Sequence, residues 1–167
     1  MTALVRFLTS LTTICVIGLV VLVPTVSAYA DSEPVCIIKP DVNLRKGPGS
    51  DYAITWSVPI FMPFLKVERK GKWIKLRDLD GDVHWAHSSS VSHRTTCAVV
   101  KTKTARLRKE PGKNQPVAEL SSVDRYTPFK KMDRDGEWVK VRDEFKGTYW
   151  VHENNIWIPM ARSKVAF

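Results

Sequence analysis

The chain has 167 residues, 44% of them hydrophobic, with 26 Lys and Arg against 17 Asp and Glu for a formal net charge of +9. That length admits one ordinary domain or two very small ones and excludes a larger assembly of domains. Basic excess of this size implies contact with anionic polymers, anionic lipid headgroups or acidic proteins, or else solvated strand faces that keep the chain soluble.

The first predicted element is a leader. Met1 to Ser10 carries one charge, Arg6, and the apolar run Ile14 to Val23 falls well short of the roughly 20 residues a bilayer span needs. Pro24 and Thr25 end the run, and Ala28-Tyr29-Ala30 offers small residues at the two positions a signal peptidase reads, with Val26-Ser27-Ala28 as a second choice. Residues 1–30 therefore read as a signal peptide and Asp31 as the mature start, with an uncleaved anchor as the alternative. Cys15 follows Ile14 inside the apolar run, which does not suit a lipid anchor. Cleavage leaves no stable membrane span and delivers the chain to the periplasm or the medium, away from chromosomal nucleic acid.

After the leader the pattern is strand throughout. Val42 and Leu44, then Ile74 and Leu76, alternate with polar neighbours at period two, as Val139 and Val141 do later, and no long helical period appears. Gly47-Pro48-Gly49, Gly71 and Asp80-Gly81 mark reversals, followed by Pro111-Gly112, Asp135-Gly136 and Lys146-Gly147. The later turns recur because the chain repeats itself. Gly71-Lys72-Trp73-Ile74-Lys75-Leu76-Arg77-Asp78 returns as Gly136-Glu137-Trp138-Val139-Lys140-Val141-Arg142-Asp143, and Trp85-Ala86-His87 returns as Trp150-Val151-His152, both 65 positions on. The fold class that follows is all-β, two small tandem barrels over residues 31–95 and 96–167, since closure disposes of open sheet edges.

Val42-Asn43-Leu44-Arg45-Lys46-Gly47-Pro48-Gly49, then Tyr52 and Trp56, the Trp73 motif, and Gly81-Asp82-Val83-His84-Trp85-Ala86-His87 together resemble a bacterial SH3-like domain of the exported, cell-envelope type. The resemblance spans nearly all of residues 36–92 and again 97–158. It implies SH3-like barrels and a binding or targeting role at the envelope, where relatives accompany wall hydrolases or act alone. The second copy departs at Glu110, which stands where the first has Gly47, and its segment before Pro128 is two residues longer. His84 and Tyr149 replace the glycine that usually precedes the closing Trp, a change that strains the turn if that glycine has positive φ. The tyrosine string of eukaryotic proline-peptide sites is absent.

Each copy has about 60 residues, a size at which a core is marginal and a covalent staple helps. Cys36 and Cys97 remain after export, precede the first strand motif of their respective copies, and are expected to pair. Trp73, Trp85, Trp138 and Trp150 are expected to fill the barrel cores, and Trp157 to seal the second barrel. Tyr52 and Trp56 align with Gln115 and Glu119 in the second copy, so the fold does not demand aromatics there. They become candidate stacking residues for a sugar or peptide, with burial of Trp56 against the other copy as the alternative.

Residues 31–100 hold 10 basic and 8 acidic side chains, whereas residues 101–167 hold 15 and 9. Arg106, Arg108, Lys109 and Lys113 are the basic candidates for an anionic ligand. No paired acid and base announce catalysis, since Asp78 and Asp143 sit in a recurring strand-end motif. His84 and His87 lie three apart on a strand and point to opposite faces, and a zinc site from His87, His152 and a cysteine lacks ligand spacing. No cofactor or metal is expected. The sequence thus reads as a non-catalytic exported module that binds cell-wall glycan or peptide, another anionic polymer, or an envelope protein. Its alternatives are a structural partner stabilising another exported protein, and, further off, a small periplasmic enzyme or metal binder.

Overall fold

The computed structural model describes residues 32–161; the predicted leader and Cys15 lie outside the described residues. Strands β1 (Glu33–Ile37), β2 (Val42–Arg45), β3 (Ile54–Val58), β4 (Pro63–Lys70), β5 (Trp73–Arg77), β6 (Val83–His87) and β7 (Val91–Ser92) form one antiparallel sheet, in the order β3-β2-β6-β5-β4-β1-β7. Strands β8 (Cys97–Val100), β9 (Thr104–Arg108), β10 (Val117–Asp124), β11 (Pro128–Asp135), β12 (Trp138–Arg142), β13 (Thr148–His152) and β14 (Ile156–Trp157) repeat that order as β10-β9-β13-β12-β11-β8-β14. A single 3-10 turn precedes β7 and β14, and its first free N–H, on Ser89 or Asn154, donates to Nδ1 of His87 or His152.

Period-two alternation decides which side chains go inside. Leu44, Ile74 and Leu76 are buried with Ile37, Val58 and Phe64 in one cluster, and Leu107, Val139 and Val141 with Val100, Phe129 and Val151 in another. One face of each seven-stranded sheet thus encloses a single core, so each sheet is rolled, as the sequence pattern requires.

Trp73, Trp138 and Trp150 correct the sequence reading, since they are only half-buried and on the outer face; Trp85 is buried, as expected, but from that same outer face. Trp73 precedes Ile74, and neighbouring residues of a strand point to opposite faces. With Ile74 inside, Trp73, Lys75 and Arg77 stand on the outer face, half-buried. Trp85 pairs across the sheet with Arg45 and Lys75 and is covered there, 9% exposed, while Trp138 and Trp150 repeat the arrangement half-buried.

β8 joins the two barrels. All four of its residues are buried, and the two faces serve different cores: Val99 enters the first, whereas Ala98 and Val100 enter the second. Its partner β14 does the same, with Ile156 in the second core and Trp157 packed against the first. Trp157 therefore seals the first barrel, not the second. Beside this seam Cys36 and Cys97 form a disulfide with Cα atoms 5.9 Å apart.

The two extra residues of the second copy lie within β10. Arg45 pairs with Ile54 and Asn43 with Ser57, while Arg108 pairs with Val117 and Arg106 with Ser122, so the insertion falls in the irregular stretch between Val117 and Ser122. Trp56 consequently corresponds to Ser121 and not to Glu119. His84 and Tyr149 sit inside β6 and β13 and are not among the positive-φ residues, so replacing glycine there strains nothing.

Two outcomes follow. Trp157→Ala is expected to lower stability by about 2 kcal/mol, roughly half the cost for a fully buried Trp, and hydrogen exchange should show Leu44 and Leu76 of the first barrel losing protection although the change lies in the second copy. Replacing both Cys36 and Cys97 by Ser should cost about 4 kcal/mol in denaturant titration, since the bridge closes a loop with a sequence separation of 61.

Candidate binding surfaces

Each barrel carries the same outward face. In the first, Trp73 lies opposite His87 on the neighbouring strand with ring centroids 5.6 Å apart at 88°, and Lys75 stands 5.9 Å from the centre of the Trp85 ring. Arg45 borders the shallow groove that Trp73, His87 and Asn43 line, its guanidinium held by a 2.8 Å hydrogen bond donated to the carbonyl of Tyr52. In the second, Trp138 and His152 are 5.2 Å apart at 81°, Lys140 stands 5.7 Å from Trp150, and Arg108 lies 6.0 Å from the Trp138 ring centre. Indole faces beside fixed cations suit apolar sugar faces, planar amides and anionic groups.

Of the sequence candidates, Arg106 and Arg108 lie on this second face, two residues apart on β9. Lys109 and Lys113 are exposed in the loop between β9 and β10 at its end. Tyr52 occupies the matching loop of the first copy, half-exposed, with its ring laid over Gly47 and Gly49. A Cβ at Gly47 would stand 2.3 Å from that ring, so Gly47 and Tyr52 form a pair. The second copy, with Gln115 in place of Tyr52, can hold Glu110 there. Trp56 is elsewhere, packed against the first core.

Trp56 meets the other copy. Its ring makes edge contacts with Phe64 and, at 5.1 Å and 84°, with Tyr126 of the second copy. The Tyr126 hydroxyl donates to Asp80, and Arg125 beside it pairs with the same carboxylate. Tyr126 has φ 68°, matched by Phe61 at 70°, an uncommon conformation for a bulky residue, and both backbone N–H groups donate to β-strand carbonyls at 2.9 Å. Burial, and then the hydrogen bond to Asp80, push the Tyr126 phenol up to about 12. Around this contact a cleft is lined by Thr55, Trp56, Asp78, Asp82, His84 and Tyr126. Asp78 is buried, and its Oδ1 accepts N–H bonds from Asp80 and Asp82, both 2.9 Å. His84 and His87 do point to opposite faces, one to this cleft and one outward. Among the described residues no group of three His, Cys, Asp or Glu is placed to hold a metal ion, and no helix is long and apolar enough to cross a membrane.

The outer Trp-His faces and Tyr126 were missed by sequence reasoning. The phase of Trp73 against Ile74 was a usable signal for the first; the partner of Tyr126 lies far away in the chain and had none.

The profile of the family described as Bacterial SH3 domain matches residues 39–93 and 101–157, one match on each barrel. The chain belongs to the bacterial SH3 domain family. Among curated proteins, this bacterial SH3 chain is similar to "Putative N-acetylmuramoyl-L-alanine amidase YrvJ" of Bacillus subtilis (strain 168), 26% identical over 149 residues covering 83% of this chain and 28% of that one. It thus spans less than a third of that relative's length. Among solved structures it is similar to NlpC1 from Trichomonas vaginalis, with 12% identity, coverage of 83% and 50%, and TM-score 0.34. It is also similar to the structure named Endolysin LysPBC5 CBD, with 18% identity, coverage of 77% and 94%, and TM-score 0.32.

The folded Tyr126 pKa lies above the unfolded value near 10, so the contribution of this contact is fully present below pH 10 and is lost as pH rises through about 12. Absorbance titration should show a tyrosinate forming near pH 12 that is absent from Tyr126→Phe, and the extra alkaline destabilisation should shrink in the same variant. It forms beside that of Tyr149, whose phenol is also pushed up by burial and then by the hydrogen bond to Asp143.

Proposed function

We propose that this bacterial SH3 protein is an exported, non-catalytic module that binds a cell-envelope component, peptidoglycan or another anionic polymer, through the outer faces of its two barrels. The observation that carries the reading is that Trp73, His87 and Lys75, with Arg45 at the edge, recur as Trp138, His152, Lys140 and Arg108 on a face the cores do not use. Side chains kept in both copies without a packing role in the core are binding candidates. The Bacillus subtilis relative, named for an amidase acting on N-acetylmuramoyl-L-alanine, supports the wall as target, and its alignment over only 28% of that chain suits a targeting segment beside a separate catalytic part. Arg106, Arg108, Lys109 and Lys113 add long-range attraction on the second copy, and the tryptophans make the short-range contact.

Mature protein incubated with purified sacculi is expected to co-sediment and to release no soluble fragments. Trp73→Ala and Trp138→Ala should each weaken binding about fivefold to tenfold, about 1 to 1.4 kcal/mol, while circular dichroism stays unchanged because neither residue is in a core. Raising salt from physiological to 1 M shortens the Debye length from about 8 to 3 Å, so binding should fall to a plateau. Arg108→Ala should remove part of the salt-dependent component only. Full binding by the double tryptophan variant would assign the contact to another surface.

A further inference from the structure

The cleft where the first barrel meets the second copy has been specialised relative to its equivalent, and the comparison is available within one chain. At the end of the second barrel, Asp143 is fully engaged: Oδ1 accepts the Gly147 N–H at 2.7 Å and Oδ2 accepts the Tyr149 hydroxyl at 3.1 Å. At the end of the first, Asp78 Oδ1 accepts two turn N–H groups, but His84 replaces the tyrosine and its Nε2 stays 3.8 Å from Oδ2. Asp78 is 6% exposed in its side chain, and Oδ2 accepts no hydrogen bond among the described residues. The turn N–H groups all go to Oδ1, so Oδ2, which lies at the cleft, is left to solvent or to a donor from outside.

The surroundings say which donor fits. Thr55 Oγ1 lies 2.8 Å from His84 Nδ1 and holds the ring, while Nε2, at 3.8 Å, is too far from Oδ2 to make a hydrogen bond to it. Trp56, 5.9 Å from His84 between ring centroids, and Tyr126 wall the cleft with aromatic rings, and Asp82 adds a further carboxylate. The nearby cation, Arg125, is committed to Asp80. In a chain of net charge +9, this cleft of about 340 Å³ is locally acidic and aromatic. It offers carboxylate acceptors and the indole of Trp56, the environment of an organic ammonium, while Arg125 already lies 5.2 Å from the centre of the Tyr126 ring. We infer that the cleft lined by Trp56, Asp78, His84 and Tyr126 is a second binding site, for a primary ammonium group borne on a short chain or at an amino terminus. Both copies contribute walls, so the site exists only in the tandem.

The full mature protein, followed by the indole N–H resonance of Trp56 in ¹H-¹⁵N correlation spectra, tests this with defined probes at neutral pH. n-Butylammonium stands for a side-chain amine, glycinamide for an α-amine, n-butanol for the uncharged isostere and N-acetylglucosamine for a sugar. Saturable shifts with either amine at a Kd of about 1 to 10 mM are expected, the range for so few atoms, with no saturation by butanol or the sugar; which amine binds more tightly identifies the source. Asp78→Asn should weaken amine binding at least tenfold. The decisive variant is His84→Tyr, which copies the arrangement of the second barrel and should fold with equal or higher Tm while abolishing the response, because the new hydroxyl satisfies Oδ2. Equal shifts from butanol, saturation by the sugar alone, silence with both amines, or undiminished amine binding by a well-folded His84→Tyr protein would each overturn the assignment.

Discussion

Everything else in the molecule depends on the burial of β8 on both faces. A strand of four residues, Cys97-Ala98-Val99-Val100, places alternate side chains in two different cores and leaves none in water. Small barrels of this length bury too little surface to be secure alone, and sharing a strand gives each access to apolar area contributed by the other. The sharing also fixes the angle and distance between the copies. Trp157, Tyr126 and the Cys36–Cys97 bridge lie along the same seam and reinforce one geometry. A swivelling pair of beads joined by a linker would have no such contacts.

With the inner faces consumed by packing, the outer faces are free to diverge or to be kept. The tryptophan-histidine pairs were kept in both copies, at matching separations and near-perpendicular ring angles. The barrel ends diverged. Tyr149 closes one over Asp143, while His84 leaves Asp78 open toward a cleft that the second copy helps to wall. Duplication thus produced two similar surfaces and one unmatched one, and the unmatched one sits where the copies touch.

Much of this was legible in the sequence, for local reasons. Period two put Leu44, Ile74, Leu76, Leu107, Val139 and Val141 inside, and the 65-residue offset gave the tandem arrangement before any contact was known. Phase was the information overlooked: residues next to a buried Ile74 or Val139 face outward, so Trp73 and Trp138 were never available to the cores. Other features depend on distant partners. Nothing near Trp157 indicates that it reaches the first barrel, and nothing near Tyr126 indicates Asp80. Backbone detail was also hidden, since in the Lys146-Gly147 turn it is Lys146 that takes the positive φ of 72°, in the position Gly81 holds at 95° in the first copy.

The placement of the disulfide bears on how the molecule carries tension. Cys36 and Cys97 bracket β2 to β7, so the first barrel lies almost wholly inside a covalent loop. A pull applied at the two ends of the chain passes from β1 through the sulfur bridge directly into β8, and the loop between them bears no load. The first barrel is mechanically shielded while the second lies in the line of force. Under tension between the two ends the second barrel is the part that yields; the first then loses Val99 and Trp157 from its core, and the covalent loop holds its strands together until the seam re-forms.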